Sequence, residues 1–350
     1  MRVHVLSAGA LALVIGSAAV AANAQAPAAL PTPALHHVHM NSANPEAAIA
    51  EYTKIAPTIT RLSLDGQPGF KTANNVVFLF NKVARTPPAA IQDRLTARTP
   101  QTSFWHFVFS VDNVRSALAR FKTEIPNFQS RLLPLYIDSS GKTVETSFDT
   151  LPGFLTDAQL AEARARGDKP TGQGAYITWA GPEGAVIENA GMGEPGRMSI
   201  FGMFQEQPLC AVLWYQKHLN APPPAAPQGG QAAAPPRTEA NCTVTLGPTP
   251  SWPSTYKRGH FRMPPATGVN FSGVSFRWYM NQEKTPLAPM RGGVVDHFAL
   301  SVADLDPWIA KLRSENVKFL QGPAPYRVGG MRAVMIEGPS KEAIEIIEVK

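Results

Sequence analysis

The sequence predicts an α+β fold built from four copies of one structural unit. In each copy an alternating apolar run, typical of a half-buried strand, leads within a few residues into an amphipathic helix pattern. An Asp, Asn or Pro opens each helix pattern, and further strand-like runs follow the helix. The repeated unit is therefore a strand, a helix and then several strands.

The first strand and helix of each unit are visible as four related stretches. They are "LHHVHMNSANPEAAIAEYTKI", "SFWHFVFSVDNVRSALARFKTEI", "MSIFGMFQEQPLCAVLWYQKHL" and "VVDHFALSVADLDPWIAKLRSENV". Side chains alternate between the two faces of a strand, so His37 and His39 are expected on one face and His36 on the other.

The second and fourth units also end alike. "WAGPEGAVIEN" and "IEGPSKEAIEI" each contain a strand, a turn with a Gly-Pro pair, and a second strand that carries an acid. The acids are Glu188 and Glu345, and their matching positions strengthen the case for a repeat.

The N-terminus has the pattern of a secretory signal peptide. Residues 1–24 combine an early Arg2, the apolar run "LALVIGSAAVAA" and a small-x-small cleavage site before Gln25. Residues 25–33 then form a flexible lead-in. We therefore expect an exported protein, periplasmic or secreted, that has no membrane segment once the signal is removed.

Two further stretches are expected at the periphery of the fold. Residues 221–237 are rich in Pro, Ala and Gly, which predicts a surface insertion that cannot pack a core. Residues 152–173 contain a charged helical pattern. The two cysteines, Cys210 and Cys242, either form a disulfide in an oxidising compartment or remain separate thiols.

Composition and motifs exclude several classes of function. The formal charge is +6, but the basic residues are scattered and do not alternate with aromatics, so a nucleic-acid partner is not expected. The chain contains no nucleophile elbow, phosphate-binding glycine loop or dinucleotide fingerprint. The expected partner is a small molecule.

The repeat resembles the βαβββ module of the vicinal oxygen chelate superfamily, which includes glyoxalases, bleomycin-resistance proteins and extradiol dioxygenases. The resemblance rests on "VVDHFALSVADLDPWIAKL" with "IEGPSKEAIEIIE", and on "SFWHFVFSVDNVRSALARF" with "WAGPEGAVIEN". It implies that two modules pair around one cleft. Consecutive pairing predicts a first domain at 34–195 and a second at 196–350.

The same resemblance implies a metal in the first cleft. Its ligands would be His37 and His106 from first strands and Glu188 from a last strand, with His39 as an alternative ligand or catalytic group and Tyr176 as a catalytic hydroxyl. Two imidazoles and one carboxylate suit Fe²⁺ or Mn²⁺, with Zn²⁺ and Ni²⁺ as alternatives. The first module's last strand, "NNVVFLFNKV", offers no acid, which favours three ligands over the four of glyoxalase-type members.

The second cleft is expected to be incomplete. His297 and Glu345 match the ligand positions, but Ile200 falls where His37 lies and Gly202 where His39 lies. His260 is a candidate replacement from a loop. This cleft is therefore predicted to be a weaker metal site or a degenerate copy.

Three functions are compatible with these residues. The first is an exported metal-dependent enzyme acting on a small oxygenated substrate, such as a catechol. Ring-cleaving dioxygenase is its leading reaction, and a glyoxalase-like lyase or isomerase is the other. The second is a metal-free protein that sequesters a small molecule in the same cleft. The third is a structural protein with vestigial clefts.

Overall fold

The structure of the protein is a computed structural model, which describes several parts of the chain. These parts are residues 30–85, 87, 101–133, 136–137, 143–144, 165–167, 176–191, 193–222, 237–244, 267–281 and 285–350. The predicted signal peptide, His260, and most of the stretches 152–173 and 221–237 lie outside them. All elements below belong to the unit that spans 31–350.

The first two modules follow the predicted order of elements. Module 1 contains β1 (Ala34–Ser42), α1 (Pro45–Tyr52), β2 (Thr60–Leu64), β3 (Gln67–Lys71) and β4 (Val77–Lys82). Module 2 contains β5 (Phe104–Ser110), α2 (Val114–Glu124), α3 (Phe128–Arg131), β6 (Tyr136–Ile137), β7 (Thr143–Val144), β8 (Tyr176–Ala180) and β9 (Val186–Ala190).

The last two modules repeat the same arrangement. Module 3 contains β10 (Met198–Gln205), α4 (Pro208–Leu219), β11 (Thr267–Phe271) and β12 (Val274–Met280). Module 4 contains β13 (Val295–Val302), α5 (Leu305–Ser314), β14 (Tyr326–Val328), β15 (Met331–Glu337) and β16 (Ala343–Glu348). The described residues contain no helix that is long and apolar enough to cross a membrane.

The helix caps identify equivalent positions in the first strands of the four modules. Asn44, Asn113 and Asp304 each accept a hydrogen bond from a backbone N–H of the first helical turn, and Gln207 holds the corresponding position in module 3. His37, His106, Ile200 and His297 each precede their cap by seven residues. These four residues are therefore equivalent positions of the repeat.

The strands form two large sheets and one short hairpin. The first sheet has eight strands in the order β14-β15-β16-β13-β1-β4-β3-β2, and the second has six in the order β11-β12-β10-β5-β9-β8. The first sheet is continuous because β1 pairs antiparallel with β13, and the second because β5 pairs antiparallel with β10. Strands β6 and β7 form a separate two-stranded sheet.

This pairing differs from the consecutive pairing expected from the sequence. Module 1 shares a sheet with module 4, and module 2 with module 3. A boundary at 195/196 therefore divides both sheets instead of separating them. Consecutive modules meet through side chains: Ser42 donates a 2.6 Å hydrogen bond to Glu183 of module 2, and Arg131 of module 2 pairs with Glu51 of module 1.

An aromatic layer joins the two sheets. The ring centroids of Phe78 in the first sheet and Phe107 in the second lie 5.0 Å apart, and those of Phe298 and Phe201 lie 5.6 Å apart. Such ring pairs add to the free energy gained from burying apolar area. Because side chains alternate along a strand, the residues next to these aromatics, including His297, point away from the opposite sheet.

The disulfide question is decided in favour of a bond. Cys210 on α4 and Cys242 are joined by a disulfide, which encloses the Pro/Ala-rich insertion. Neither cysteine is a free thiol.

Candidate metal centre

The pairing of β1 with β13 creates a cluster of buried histidines. In the register of these strands His39 lies opposite His297, and His37 lies opposite Ala299. Glu345 on β16 also lies beside Ala299, from the other side of β13. All four polar side chains therefore project from one face of the first sheet, and each is at most 6% exposed.

The donor atoms of this cluster converge. One ligand atom from each of His37, His39 and His297 lies within 4.8 Å of the other two. Oε2 of Glu345 lies 3.7 Å from Nε2 of His37 and 4.0 Å from Nε2 of His297. Nε2 of His37, Nε2 of His39 and Oε2 of Glu345 are buried without a hydrogen-bond partner.

Neighbouring side chains hold the other edge of each imidazole. Nδ1 of His297 lies 2.7 Å from Oδ1 of Asp296, and Nδ1 of His37 lies 2.8 Å from Nδ1 of His36. Asn81 on β4 makes a side-chain hydrogen bond to His39. Partners of this kind fix the tautomer and orientation of metal-ligating histidines and leave Nε2 facing the ion.

Asp296 is itself held by several groups. Its Oδ2 accepts a 3.0 Å hydrogen bond from the backbone N–H of Gly292 and a weaker one from Asn41, and Arg291 lies 3.5 Å from Oδ1. Burial opposes ionisation of Asp296. However, the hydrogen bonds from His297 and Gly292 and the charges of His297 and Arg291 hold its pKa well below its usual range. The carboxylate is thus available to accept the Nδ1 proton of His297.

Tyr326 orients the carboxylate of Glu345. Its hydroxyl on β14 donates a 2.7 Å hydrogen bond to Oε1 of Glu345, which leaves Oε2 to face the histidines. Burial, then the charge of Glu345 and this hydrogen bond, raises the pKa of Tyr326 well above its usual range. Tyr326 therefore stays protonated and acts as a hydrogen-bond donor.

Two of the histidines are held in the neutral form. Burial is the main cause, and the neighbouring histidines add to it: the pKa of His37 lies well below its ordinary value. Burial and His297 lower the pKa of His39 to about 4, against opposing contributions from Asp296 and Asn81. At neutral pH both rings carry a free lone pair, which metal binding requires.

The donor set fits a divalent transition metal. Zinc–nitrogen bonds are about 2.1 Å, so donors on opposite sides of an ion are separated by about 4.2 Å. The observed spacing of the histidine donors, within 4.8 Å, is close to that limit, and small side-chain rotations would close the difference. Imidazole and carboxylate ligands suit iron, nickel, zinc and related ions.

The structure does not bring the ligand set predicted from the resemblance together. His37 lies in this centre, but His106 and Glu188 lie on β5 and β9 of the second sheet, on the face that points away from the first. His297 and Glu345, expected to form the weaker site, are the residues that join His37. The difference follows from the pairing of modules, not from the choice of positions within them.

Tyr176 is also not a catalytic hydroxyl of this centre. It lies on β8 of the second sheet and packs against the cluster of Val108, Ala190 and Ile200. The tyrosine that does contact the centre is Tyr326, which sequence reasoning missed. Asp296 was also missed, although an acid directly before a candidate ligand histidine is visible in the sequence.

The second sheet contains the equivalent positions but not the donors. In the second sheet Gly202 lies opposite His106, and in the first sheet His39 lies opposite His297 in the same way. Likewise, Ile200 lies opposite Val108, and His37 lies opposite Ala299. Module 3 therefore contributes neither first-strand histidine to this sheet. A Cβ at Gly202 would lie 2.1 Å from Cε1 of His106, so the buried ring of His106 packs directly on the glycine. Among the described residues, only the first sheet offers a metal-binding group.

Comparison with known protein families agrees with the resemblance found in the sequence. Residues 210–346 match the model of the Glyoxalase/Bleomycin resistance protein/Dioxygenase superfamily. This is the vicinal oxygen chelate superfamily of the sequence resemblance, and the match covers less than half of the chain. No curated protein sequence matches the chain.

Solved structures extend the same fold over nearly the whole chain. Glyoxalase I from Zea mays is similar with a TM-score of 0.52 at 10% identity over 91% of this chain and 92% of its own, and a variant of that enzyme reaches 0.54 over the same shares. A candidate dioxygenase from Bacillus subtilis has a TM-score of 0.50 at 12% identity over 91% of this chain and 86% of its own. At these identities the likeness concerns the fold.

The packing of His106 on Gly202 is testable. Gly202→Ala should lower the free energy of unfolding by about 1–3 kcal/mol, because the new methyl group overlaps a buried ring. In a His106→Ala background the same change should cost much less. Gly191→Ala is the matched control, since its Cβ would meet only Val114 at 3.9 Å. If denaturant titrations showed that the changes in unfolding free energy from Gly202→Ala and His106→Ala were additive, the contact would be contradicted.

The buried neutral histidines predict a pH dependence of stability. The unfolded chain protonates His39 near pH 6.5, whereas the folded protein does so only near pH 4. As pH falls between these values, the metal-depleted protein should lose on the order of 3 kcal/mol through His39. Denaturant titrations from pH 8 to 4 should show this loss. His39→Asn should flatten the profile, and an unchanged profile in that variant would count against the assignment.

Proposed function

We propose that this protein is a metal-dependent enzyme of the vicinal oxygen chelate superfamily that acts on a small oxygenated substrate. The observation that carries this proposal is the convergence of His37, His297 and Glu345, from two modules, on one buried point of the first sheet. Nε2 of His37 and Nε2 of His39 have no hydrogen-bond partner, whereas Nδ1 of His37 and Nδ1 of His297 each have one. This division of partners is expected for histidines that bind a metal.

The roles of the residues follow from their contacts. His37, His297 and Glu345 would hold the ion, while Asp296, His36 and Tyr326 orient them. The bound ion would act as a Lewis acid that polarises the oxygens of the substrate. We propose Fe²⁺ or Mn²⁺, with Zn²⁺ and Ni²⁺ as alternatives, and a substrate with two neighbouring oxygens, such as a catechol.

The similarity to glyoxalase I supports the fold. The proposed reaction remains a choice between ring cleavage and isomerisation or lyase chemistry. A metal-free binding protein is the competing function, and it predicts a different result in the following experiment.

Metal content distinguishes these functions. Purified wild-type protein, dialysed against one divalent ion, should retain about one ion per chain by elemental analysis. His297→Ala and Glu345→Gln should each weaken binding by more than about 100-fold, since the first removes a ligand and the second removes the negative charge of one. His106→Ala is the matched control, because it removes a buried histidine from the equivalent position of the second sheet.

Two results would contradict the assignment. Wild-type protein that binds an aromatic compound tightly and shows no metal affinity would select the metal-free function. Loss of the ion in His106→Ala, together with its retention in His297→Ala, would return the site to the residues predicted from consecutive pairing.

We also propose that the protein is exported. The supporting observation is the Cys210–Cys242 disulfide, because disulfides persist chiefly in oxidising compartments. When the full-length gene is expressed in a Gram-negative host, the protein should be found in the periplasm with Gln25 as its first residue and no free thiol. N-terminal sequencing and thiol titration of the fractionated cells test this, and cytosolic protein that retains Met1 would overturn it.

A further inference from the structure

We infer that His39 is a fourth protein ligand of the proposed metal site, so that the ion would be held by three imidazoles and one carboxylate. The inference rests on the proposed function, since it concerns the same centre. It departs from the sequence prediction, in which His39 was an alternative to His37 or a catalytic group and the centre had three ligands.

The first argument is the position of His39 in the repeat. The residues equivalent to it, two positions after the first-strand ligand site, are Val108, Gly202 and Ala299. Only module 1 places a metal-binding side chain there. The alternation of side chains along β1 puts His39 on the same face as His37, towards the convergent donors.

The second argument is that module 1 lacks an acid where module 4 has Glu345. In module 4, Glu345 on β16 pairs with Ala299. In module 1 the residue equivalent to Ala299 is His39, and it pairs with Leu79 on β4. Module 1 therefore contributes two donors from its first strand and none from its last. Module 4 contributes one donor from each of these strands.

The third argument is the state of the His39 ring. It is 5% exposed, and its Nε2 is buried without a hydrogen-bond partner, which is unfavourable unless the atom has another role. The ring centroid lies 4.7 Å from that of His297 and 5.5 Å from that of His37.

The fourth argument is the chain of hydrogen bonds that links the neighbour of His39 to the neighbour of His297. Asn81, which hydrogen-bonds to His39, also donates to Asn41 at 3.4 Å, and Asn41 donates to Asp296 at 3.4 Å. One chain of side chains therefore connects the partner of His39 with the partner of His297. Shared outer contacts of this kind are expected for two ligands of one ion.

A fourth ligand narrows the class of reaction. In an octahedral centre four protein ligands leave two positions, whereas two histidines and one carboxylate leave three. A substrate that binds through two oxygens fills both remaining positions. The four-ligand centre therefore favours isomerase or lyase chemistry on the chelated substrate over ring cleavage, which needs room for dioxygen beside the substrate.

The number of coordinated imidazoles is the decisive measurement. Metal-depleted full-length protein is loaded with Cu²⁺ as a paramagnetic probe, and pulsed EPR counts the histidine rings bound to it. Wild-type protein should show three imidazoles, and His39→Ala and His39→Asn should each show two. The affinity for Cu²⁺ should also fall at least about tenfold in both variants. Circular dichroism identifies a variant that does not fold. If His39→Ala does not fold, the imidazole count is taken from His39→Asn, because Asn is closer in size to His than Ala is.

Control variants separate failure of this inference from failure of the proposed function. His106→Ala should keep the three-imidazole signal, and His297→Ala should lose one. Two imidazoles in wild-type protein and an unchanged signal in folded His39 variants would overturn the inference and leave the three-ligand centre standing. Absence of Cu²⁺ binding in wild-type protein would overturn both.

Discussion

The antiparallel pairing of β1 with β13 is the constraint on which the site depends. It joins the first and last modules into one sheet and places His39 opposite His297 across the strand boundary. These residues are more than two hundred positions apart in the chain, so no local preference could bring them together. The hydrogen bonds of the two strands fix the register, and a shift by one residue would turn the histidines towards the aromatic layer.

The aromatic layer determines the face of the sheet on which the side chains of the centre lie. Phe298 contacts Phe201 and Phe276 of the second sheet, so the neighbouring His297 must point to the opposite side. The same alternation turns His106 away from the first sheet. Two sheets that pack through their apolar faces thus present two separate clefts, and ligands from different sheets cannot meet at one ion.

The two clefts show how one scaffold supports a site in one copy and not in the other. Both retain a first-strand histidine and a last-strand glutamate, namely His297 with Glu345 and His106 with Glu188. The difference lies in the partner strand, where β1 carries His37 and His39 and β10 carries Ile200 and Gly202. In the second sheet the candidate donors therefore lie on one side of the β5–β10 pairing, whereas in the first sheet they lie on both sides of the β1–β13 pairing.

The sequence by itself determined the repeated unit, its helix starts and the positions at which ligands would fall. Apolar alternation and the caps at Asn44 and Asp304 are local properties, and equivalent positions can therefore be aligned without a structure. The partners of each module were decided only by the tertiary structure. Strand edges of the four modules are similar, and the choice among them depends on packing across the whole chain. For the same reason the support from Tyr326 and Asn81 could not be foreseen, since each lies on a strand whose neighbours the sequence does not specify.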